Sequence, residues 1–415
     1  MIPNAYRLFF WILPAALIIG GCQSDPLRNA VVRELPLLCQ EGGMPNLFVS
    51  ESGRTYLSWI EFLNDSTDAL YYAALEPRKW SSPRTIALGT NWFVNWADFP
   101  SLATYDENDN FLAAHWLQMR GTGTYEYDIH IGQSQNGGRL WIKSLIPHDD
   151  SIAAEHGFVS LLPIPNWKMF AVWLDGRKMV TEDIAQTSEG HGHDGPMTLR
   201  CAIFDTQGNL SFEFELDDKV CECCQTDAVW TSGNIVVAYR DLTDENVRDI
   251  SIVRTAGGKW TTPKTLYPDN WKISGCPVNG PALAAIGDTL VVSWFSAPEG
   301  VAQVKAAFSF DGGDNFQEPV RVDDGDPLGR VDVVMLSQKE ALVSWVERTG
   351  DRADIRVVRV NAKKKISQSV AISDADASRM SGFPIMEKND DRIVFAWTEV
   401  DSTTTVVKSA YIDRR

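Results

Sequence analysis

The stretch "FAVW" at residues 170–173 is one of seven similar short segments whose spacing predicts the fold. Each segment consists of apolar and small residues followed by an aromatic residue. The closing aromatic residues are Trp59, Trp116, Trp173, Tyr239, Trp294, Trp345 and Trp397. Consecutive members of this set are 57, 57, 66, 55, 51 and 52 residues apart. A period of this length indicates a repeat architecture in which each repeat is one supersecondary unit.

The sequence around each segment reads as β-strands. Another short apolar run precedes the segment, and an alternating run such as "EYDIHIG" (126–132) or "DIRVVRV" (354–360) follows it. Several repeats close with a fourth run, as in "WTTPKTLY" (260–267). Apolar residues recur with a period of two, which is typical of strands. The pattern predicts an all-β chain forming a single β-propeller of four-stranded blades over residues 29–415. We count seven blades, with six as the alternative.

The two ends of the chain predict how the ring closes. The seventh repeat ends at Arg415 after three strands, and the run "NAVVRELPLLC" (29–39) precedes the first repeat without a blade of its own. Unpaired strand edges are prone to aggregation. We therefore expect the N-terminal strand to complete the last blade.

The N-terminal segment predicts export. Arg7 precedes an apolar run from Leu8 to Ile19, and small residues follow. This order is typical of a secretory signal, and the run is too short for a stable membrane span. The residues Ile19-Gly20-Gly21-Cys22 resemble the bacterial lipobox. The resemblance implies removal of residues 1–21, lipidation of Cys22, a tether over residues 22–28 and a lipid-anchored protein of the bacterial cell envelope, in the periplasm or at the outer membrane. The alternative is an ordinary signal with Cys22 in a disulfide.

The charge of the chain limits its partners. The formal net charge is -17, and removal of Arg7 with the signal would make it -18. So acidic a chain is a poor ligand for nucleic acid. We expect no nucleic-acid partner, a monomer, and contact with the bilayer through the acylated Cys22 alone.

Two loops carry a family resemblance. "SFDGGDNF" (309–316) and "SQNGGRLW" (134–141) resemble the Asp box of sialidases and related propellers, with Asn136 in the place of the aspartate in the second copy. The resemblance implies the blade architecture, because the box is structural in that family. Sialidase activity would also need an arginine triad, a tyrosine–glutamate nucleophile pair and an aspartate acid. The Phe-Arg-Ile-Pro motif that usually carries the first arginine is missing from the sequence, so no catalytic residue is transferred.

Propeller topology places the chemically distinctive residues on one face of the ring. Loops that enter the innermost strands, and loops between the second and third strands, open on the same face, which we call the mouth. The predicted acid and base residues, as glycosidases require, are Asp98, Glu155 and Asp332. The predicted ligand-binding residues, including arginines that suit a carboxylate or sulfate, are Arg177, Arg240, Arg248, Arg330, His156, Asp227 and Asn279.

Cysteines are concentrated at the same mouth. The segment "KVCECCQTDAVW" (219–230) contains Cys221, Cys223 and Cys224, and other mouth loops contain Cys39 and Cys276. One interpretation is a set of disulfides, which export permits. The second is a soft-metal site for Cu(I) or Zn(II) formed by Cys221, Cys223, Cys224 and Cys276 with His156 nearby. The third is a vicinal disulfide that acts as a rigid platform or a redox switch.

These features support two functional hypotheses. The first, which we favour on the sequence, is a sialidase-like propeller that binds or hydrolyses an acidic glycan, acting as a glycoside hydrolase if it is an enzyme. The second is a non-enzymatic envelope lipoprotein whose cysteine-rich mouth binds copper or zinc or docks a partner. Converging arginine side chains favour the glycan. Three sulfurs within about 4 Å of one point favour the metal, given metal–sulfur bonds of about 2.3 Å.

Overall fold

The computed structural model describes residue 27 and residues 30–39, 41–180, 195–401 and 404–414. The predicted signal segment 1–21 and the lipidation site Cys22 lie outside these residues. Within the described ranges no helix combines the length and the apolar character needed to cross a bilayer. The helical content there consists of two short 3-10 turns, Pro298–Gly300 and Arg379–Ser381.

The described chain forms seven antiparallel sheets in sequence order, each with one blade's strands, and this confirms the seven-blade propeller over the six-blade alternative. Blade 1 contains β2 (Gly42–Val49), β3 (Thr55–Asn64), β4 (Thr67–Ala74) and β5 (Arg84–Gly89). Blade 2 contains β6 (Leu102–Thr104), β7 (Leu112–Met119), β8 (Tyr127–Ser134) and β9 (Ile142–Leu145). Blade 3 contains β10 (His156–Ile164), β11 (Lys168–Asp175), β12 (Met197–Asp205) and β13 (Leu210–Val220). Within each blade the first strand is innermost and consecutive strands pair as hairpins.

The remaining four blades follow the same order, and two of them carry a short extra outer strand. Blade 4 contains β14 (Asp227–Trp230), β15 (Ile235–Arg240), β16 (Ile250–Ala256), β17 (Lys259–Trp260) and β18 (Lys264–Thr265), and blade 5 contains β19 (Ala282–Ile286), β20 (Thr289–Ser296), β21 (Gln303–Ser309) and β22 (Val320–Arg321). Blade 6 contains β23 (Pro327–Ser337), β24 (Glu340–Thr349), β25 (Arg352–Asn361), β26 (Lys364–Lys365) and β27 (Val370–Ala375). Blade 7 contains β28 (Ile385–Lys388), β29 (Arg392–Asp401) and β30 (Thr404–Asp413).

The N-terminal strand closes the ring as predicted. Strand β1 (Arg33–Glu34) pairs antiparallel with β30 and is the outermost strand of blade 7, with Arg33 opposite Tyr411. The backbone N–H of Leu35 extends this pairing by donating to the carbonyl of Ser409. Only Arg33 and Glu34 pair with β30 as a strand, which is fewer residues than the apolar run 29–39 suggested. The covered edge nevertheless belongs to the last blade, so the first and last segments of the chain share one sheet.

The repeated aromatic residues form the seams between blades. Trp59, Trp173 and Trp345 are fully buried, as is Tyr239. Several of the indole N–H groups donate to an acidic side chain two residues further on, as Trp173 does to Asp175 at 2.8 Å. Burial of a large aromatic side chain stabilises a fold by about 3–5 kcal/mol relative to alanine. The repeat therefore marks the second strand of each blade because that strand is buried on both faces.

Both Asp-box loops have the geometry that the resemblance implies. In the loop between β21 and β22, Oδ1 of Asp311 accepts from the Ser309 hydroxyl at 2.8 Å and from two backbone N–H groups. In the loop between β8 and β9, Oδ1 of Asn136 accepts from two backbone N–H groups in the same way, at 3.1 and 2.9 Å. An amide oxygen thus replaces a carboxylate oxygen without loss of the turn.

Candidate functional site: a thiol cluster at the mouth

The three close cysteines lie in the loop that enters the innermost strand of blade 4. The loop leaves β13 at Val220, and the N–H of Cys221 donates to the carbonyl of Arg240 at 3.1 Å. The Sγ atom of Cys221 lies 3.8 Å from that of Cys223 and 3.6 Å from that of Cys224. All three sulfurs lie within 4.8 Å of one another. The tight loop therefore brings three thiols to one point.

The cysteines of the mouth differ in exposure. Cys221 and Cys224 are 0% and 1% exposed, Cys223 is half-buried, and Cys276 is exposed. Cys276 is near enough to Cys223 for the two thiols to influence each other, which raises the pKa of Cys223 and lowers that of Cys276. All six cysteines in the described part of the chain are free, with Cys39 and Cys201 in strands or seams away from this cluster. The structure thus contains thiols where the disulfide interpretation expected bridges.

A cationic side chain contacts the most deeply buried thiol. Nη1 of Arg248 lies 2.9 Å from Sγ of Cys221 and 2.8 Å from Oε2 of Glu222. Hydrogen bonds from Cys223 and Cys224, together with the charge of Arg248, lower the pKa of the Cys221 thiol well below its usual value. The N–H of Asn279 donates to Sγ of Cys224 at 3.4 Å. Two independent donors outside the cysteine loop therefore point at its sulfur atoms.

Arg240 connects the backbone segments that surround this thiol cluster. Its guanidinium group is 1% exposed and donates to the carbonyls of Asn279, Phe295 and Arg248 at 2.6–2.9 Å. It also lies over the ring of Trp271, 5.0 Å from the centroid. Because Asn279 and Arg248 both contact the sulfurs, Arg240 positions the two groups that surround the thiols.

Asn279 continues this network toward blade 6. Its Oδ1 accepts from the N–H of Arg330 at 2.6 Å. Gly329, with φ +84°, makes this approach possible, because a Cβ atom there would lie 2.2 Å from Oδ1 of Asn279. The side chain of Arg330 donates to Oγ of Ser381 at 2.5 Å and to the carbonyl of Ser378 at 2.8 Å.

The four predicted arginines do not converge on a shared point. Arg177 is paired with Asp175, Asp150 and Glu213, at distances of 2.7, 3.0 and 3.0 Å. Arg240 and Arg330 bind protein carbonyls and a hydroxyl, and Arg248 binds the thiol cluster. Each guanidinium group is therefore engaged by a different part of the protein. No triad for a sugar carboxylate forms among these residues.

His156 lies in a second cluster, the histidine cluster, which the sequence did not predict. Its ring stacks on His148 with centroids 3.8 Å apart and planes 2° from parallel. Oδ2 of Asp150 lies 3.1 Å from Nδ1 of His148 and 3.2 Å from Nε2 of His156. Asp128 lies on the opposite side of both rings at 3.7 and 3.8 Å.

The stacking limits what the two imidazoles can bind together. Nitrogen lone pairs lie in the ring planes, so an ion between two parallel rings would lie outside both planes. Nδ1 of His156 also faces the carbonyls of Tyr127 and Ala154 at 3.2 and 3.1 Å. In this arrangement the two imidazoles do not chelate one ion, and the cluster ties the blade 2–3 connection to blade 3.

The surroundings shift the pKa values of His156 and His148 in opposite directions. Burial opposes its charge, but the hydrogen bond to Asp150 and the charges of Asp175 and Asp150 outweigh burial, so the pKa of His156 is raised. Burial and the neighbouring His156 lower the pKa of His148 despite its bond to Asp150. The two stacked imidazoles therefore differ, and His156 is the one whose protonated form its surroundings favour.

Three predicted site carboxylates link neighbouring blades. Asp98 accepts from the N–H of Phe158 in blade 3 at 2.8 Å. Asp227 accepts from Leu283 N–H in blade 5 at 2.6 Å, and Asp332 accepts from Met386 N–H in blade 7 at 2.5 Å. Burial raises the pKa of Asp227 to about 7 and that of Asp332 well above its usual value. These aspartates stabilise the contacts between innermost strands.

Glu155 is placed differently, because its carboxyl group accepts from a side-chain hydroxyl and not from a backbone N–H of the next blade. Oε1 accepts from the hydroxyl of Tyr127 at 2.9 Å. Burial raises the pKa of Glu155 to about 7. Burial, with a smaller contribution from the charge of Glu155, also raises the pKa of Asp98 well above its usual value. Among the predicted acid–base residues, Glu155 is therefore the one that is held by a hydroxyl group, that of the fully buried Tyr127.

The loop that enters blade 2 covers the axis of the ring on the mouth side. Trp96 stacks on Phe383, which precedes blade 7, with centroids 5.9 Å apart. The carbonyl of Ala97 accepts from Nε2 of Gln225, in the blade 4 loop, at 2.5 Å. Arg330 of blade 6 lies over the Trp96 ring, 5.6 Å from its centroid. One loop can contact blades 4, 6 and 7 only by crossing the axis, and beneath it lies a cavity of about 540 Å³ lined by all seven innermost strands.

Sequence reasoning missed the residues that fill the mouth. The sequence contained no sign of His148 and Asp150 because the blade 2–3 connection shows no repeat feature, and Asp128 lies within β8, where it reads as one polar position of an alternating strand. The aromatic-rich run "NWFVNWADFP" (91–100) was the available signal for the covering loop, since four large aromatic residues in one loop require burial. The clustering of Cys221, Cys223 and Cys224 was visible in the sequence itself.

Comparisons with known proteins support the fold. No protein-family model matches the chain, and no curated protein matches it in sequence. A solved protein of unknown function from Dyadobacter fermentans is similar to it at 13% identity and a TM-score of 0.53, covering 94% of this chain and 100% of that chain. The polysaccharide lyase Uly1 is similar at 8% identity and a TM-score of 0.54, covering 91% and 90%.

A weaker similarity involves the NanB sialidase of Streptococcus pneumoniae, at 12% identity and a TM-score of 0.46, covering 92% of this chain and 70% of that chain. At a score this low the similarity carries no argument about the site. The two stronger similarities, at identities this low, show the fold alone: an all-β propeller shared by proteins that include a glycan-processing enzyme.

Proposed function

We propose that this propeller is a soft-metal protein whose thiol cluster binds one Cu(I) ion through Cys221, Cys223 and Cys224. The observation that carries the proposal is the approach of three free sulfurs to within 4.8 Å of one another. Sulfurs bound to one metal at about 2.3 Å lie about 3.8–4.0 Å apart. The two shortest separations here are 3.6 and 3.8 Å. The loop therefore needs little rearrangement to bind a metal.

The chemistry of the ligands favours Cu(I) over harder ions. Thiolates select Cu(I) and Zn(II), whereas carboxylate and water suit magnesium, calcium and manganese. Zinc in structural sites takes four ligands, and three sulfurs in a largely buried cluster match the lower coordination number of Cu(I). Zinc bound by the same three cysteines with Cys276 is the alternative outcome of the test.

The charges around the cluster suit a metal–thiolate group of either ion. Three thiolates and one Cu(I) ion carry a net charge of -2, which is costly to bury without a compensating cation. Arg248 supplies one positive charge 2.9 Å from Sγ of Cys221. The N–H of Asn279, directed at Sγ of Cys224, adds a neutral donor. The surroundings are thus those of an anionic metal–thiolate group.

The proposal takes the protein to be exported and anchored to the bacterial cell envelope through Cys22, as the N-terminal sequence indicates. In that compartment copper reaches the protein from outside the cytoplasm. The proposed role is to capture and hold copper ions. No bond of an organic substrate is broken.

A competition titration under anaerobic conditions tests the proposal. Protein without residues 1–21 is titrated with Cu(I) in the presence of a chromophoric chelator. We expect one equivalent of copper bound by the wild type, and weaker binding by Cys221→Ser and Cys224→Ser. The matched control is Cys39→Ser, which removes a buried thiol away from the cluster. Equal copper binding by Cys221→Ser and wild type contradicts the proposal. One equivalent of zinc retained in place of copper assigns the site to zinc.

A second candidate function is binding or hydrolysis of an acidic glycan at the mouth. The observation that favours it is Glu155, whose pKa burial raises to about 7 and whose carboxyl group accepts a hydrogen bond from Tyr127, because glycosidases use a carboxyl group with a raised pKa as an acid. It ranks second because the predicted arginines are already paired within the protein.

Incubation with sialyllactose and with a uronate polysaccharide tests this second candidate. Release of product by the wild type, lost in Glu155→Gln and kept in Glu245→Gln at an exposed mouth position, supports hydrolysis. The absence of product and of any binding measured by calorimetry contradicts both glycan activities.

A further inference from the structure

Four of the mouth cysteines, Cys221, Cys223, Cys224 and Cys276, form a graded series from solvent to interior. Cys276 is exposed, Cys223 is half-buried, and Cys221 and Cys224 are buried. The order in space is the same as the order of exposure, because Cys276 is next to Cys223 and Cys223 is 3.8 Å from Cys221. A metal site needs only the ligands at its centre. The exposed cysteine at the outer end therefore calls for another role.

We infer that Cys276 is the entry ligand through which copper is passed to the buried cysteines. This inference rests on the proposed function and adds the route and the donor. The donor is a carrier that holds Cu(I) in an exposed site, because hydrated Cu(I) is not a free species in an oxidising compartment. Cys276 is the accessible sulfur with which such a carrier forms a shared intermediate.

The loop that carries Cys276 suits an encounter with a carrier. The space around its neighbour Gly275 is open, since an added Cβ atom would meet nothing within 4 Å. Glu222, 34% exposed in its side chain, lies between this rim and Arg248. An acidic side chain at the rim of a strongly acidic protein attracts cationic carriers. The buried sulfurs offer no comparable surface.

The transfer is a series of ligand exchanges without a change of oxidation state. Copper first binds Cys276 and Cys223 as one bond to the carrier breaks. New bonds to Cys221 and Cys224 then form as the last bond to the carrier and the bond to Cys276 break, which releases the carrier. Each incoming thiol gives up its proton to the departing thiolate or to solvent, and copper remains Cu(I) throughout. No oxidant or reductant is required.

The alternative is that Cys276 is a fourth permanent ligand. The two roles differ in what the loss of Cys276 does. An entry ligand speeds loading and contributes little to the final affinity. A permanent ligand contributes to the affinity itself.

Stopped-flow loading distinguishes the two roles. Anaerobic Cu(I) bis(bicinchoninate) is mixed with wild type, Cys276→Ser, Cys276→Ala or the control Cys39→Ser, and loss of the chelate colour is followed. For both Cys276 variants we expect copper loading to slow by about tenfold or more, because substitutions that affect the encounter step change association rates by about one to three orders of magnitude. The amount of copper that each Cys276 variant retains at equilibrium with the chelator should equal the amount that the wild type retains.

Three other outcomes have distinct meanings. Loading of both Cys276 variants at the wild-type rate overturns the entry role while the buried site stands. Slower loading together with loss of retained copper makes Cys276 a permanent ligand and also overturns the entry role. Failure of the wild type to take copper from the chelate overturns the proposed function itself. Because Cys276 is exposed, its substitution leaves the core intact, which urea unfolding of the variants verifies.

Discussion

Replacement of Arg240 by methionine is the sharpest test of how the mouth is held together. The guanidinium group is 1% exposed and satisfies three backbone carbonyls with four hydrogen bonds of 2.6–2.9 Å. Methionine fills a similar volume but donates nothing, so three buried carbonyls lose a partner. Each unsatisfied buried group costs about 1–3 kcal/mol. Removal of a buried charge recovers part of this sum. The expected net loss in the free energy of unfolding is about 3–5 kcal/mol.

Urea unfolding followed by tryptophan fluorescence measures this loss. Arg240→Lys should fall between methionine and wild type, because an ammonium group donates but lacks the planar fork. The control is Arg352→Met, whose ion pair with Asp374 is 71% and 72% exposed and should change stability by less than about 1 kcal/mol. A stability of Arg240→Met within about 1 kcal/mol of wild type would refute the reasoning.

Three further predictions concern other parts of the ring. Because the pKa of His156 is raised in the folded state, protonated His156 stabilises the fold below the unfolded pKa of about 6.5, and this stabilisation is lost as the pH rises through the folded pKa. The substitution His156→Gln should therefore lower the unfolding free energy more at pH 6 than at pH 9. Equal shifts of the urea midpoint at both pH values would count against this prediction. Asp311→Ala in the Asp box should cost about 1–2 kcal/mol in urea unfolding, because three donors lose their acceptor, and an unchanged midpoint would contradict the turn assignment. Trp96→Ala should lower the unfolding free energy by about 2 kcal/mol, whereas Trp167→Ala, 57% exposed, should change it less, and the reverse order would argue against a covering loop.

The sequence was sufficient to predict the fold because the relevant signal is local and repeated. Seven similar short segments, each closed by an aromatic residue, report the same buried second strand, so an irregular copy such as Tyr239 does not obscure the pattern. The Asp boxes were predictable for the same reason, since the turn is made by residues within one short loop. The closing strand was predictable in position but not in length, because only Arg33 and Glu34 pair along β30.

The mouth was predictable as a face but not as a set of contacts. Topology places Cys221, Arg248 and Glu155 on one side, and they lie there. The partners of Arg240 are backbone carbonyls of blades 4 and 5, and no residue type in the sequence marks a carbonyl that lacks a donor. The covering loop with Trp96 crosses the axis, and its contacts join segments that are distant along the chain. Such long-range packing decides which predicted ligands remain accessible.

The measurement that tests the central claim most directly is X-ray absorption at the copper edge, made on protein purified from the envelope without chelator. The account predicts about one copper per chain in the Cu(I) state, with a first shell of three sulfur atoms at about 2.2–2.3 Å. A shell dominated by nitrogen or oxygen, or protein free of copper and zinc that retains all its thiols, would contradict a metal centre at the cysteine loop.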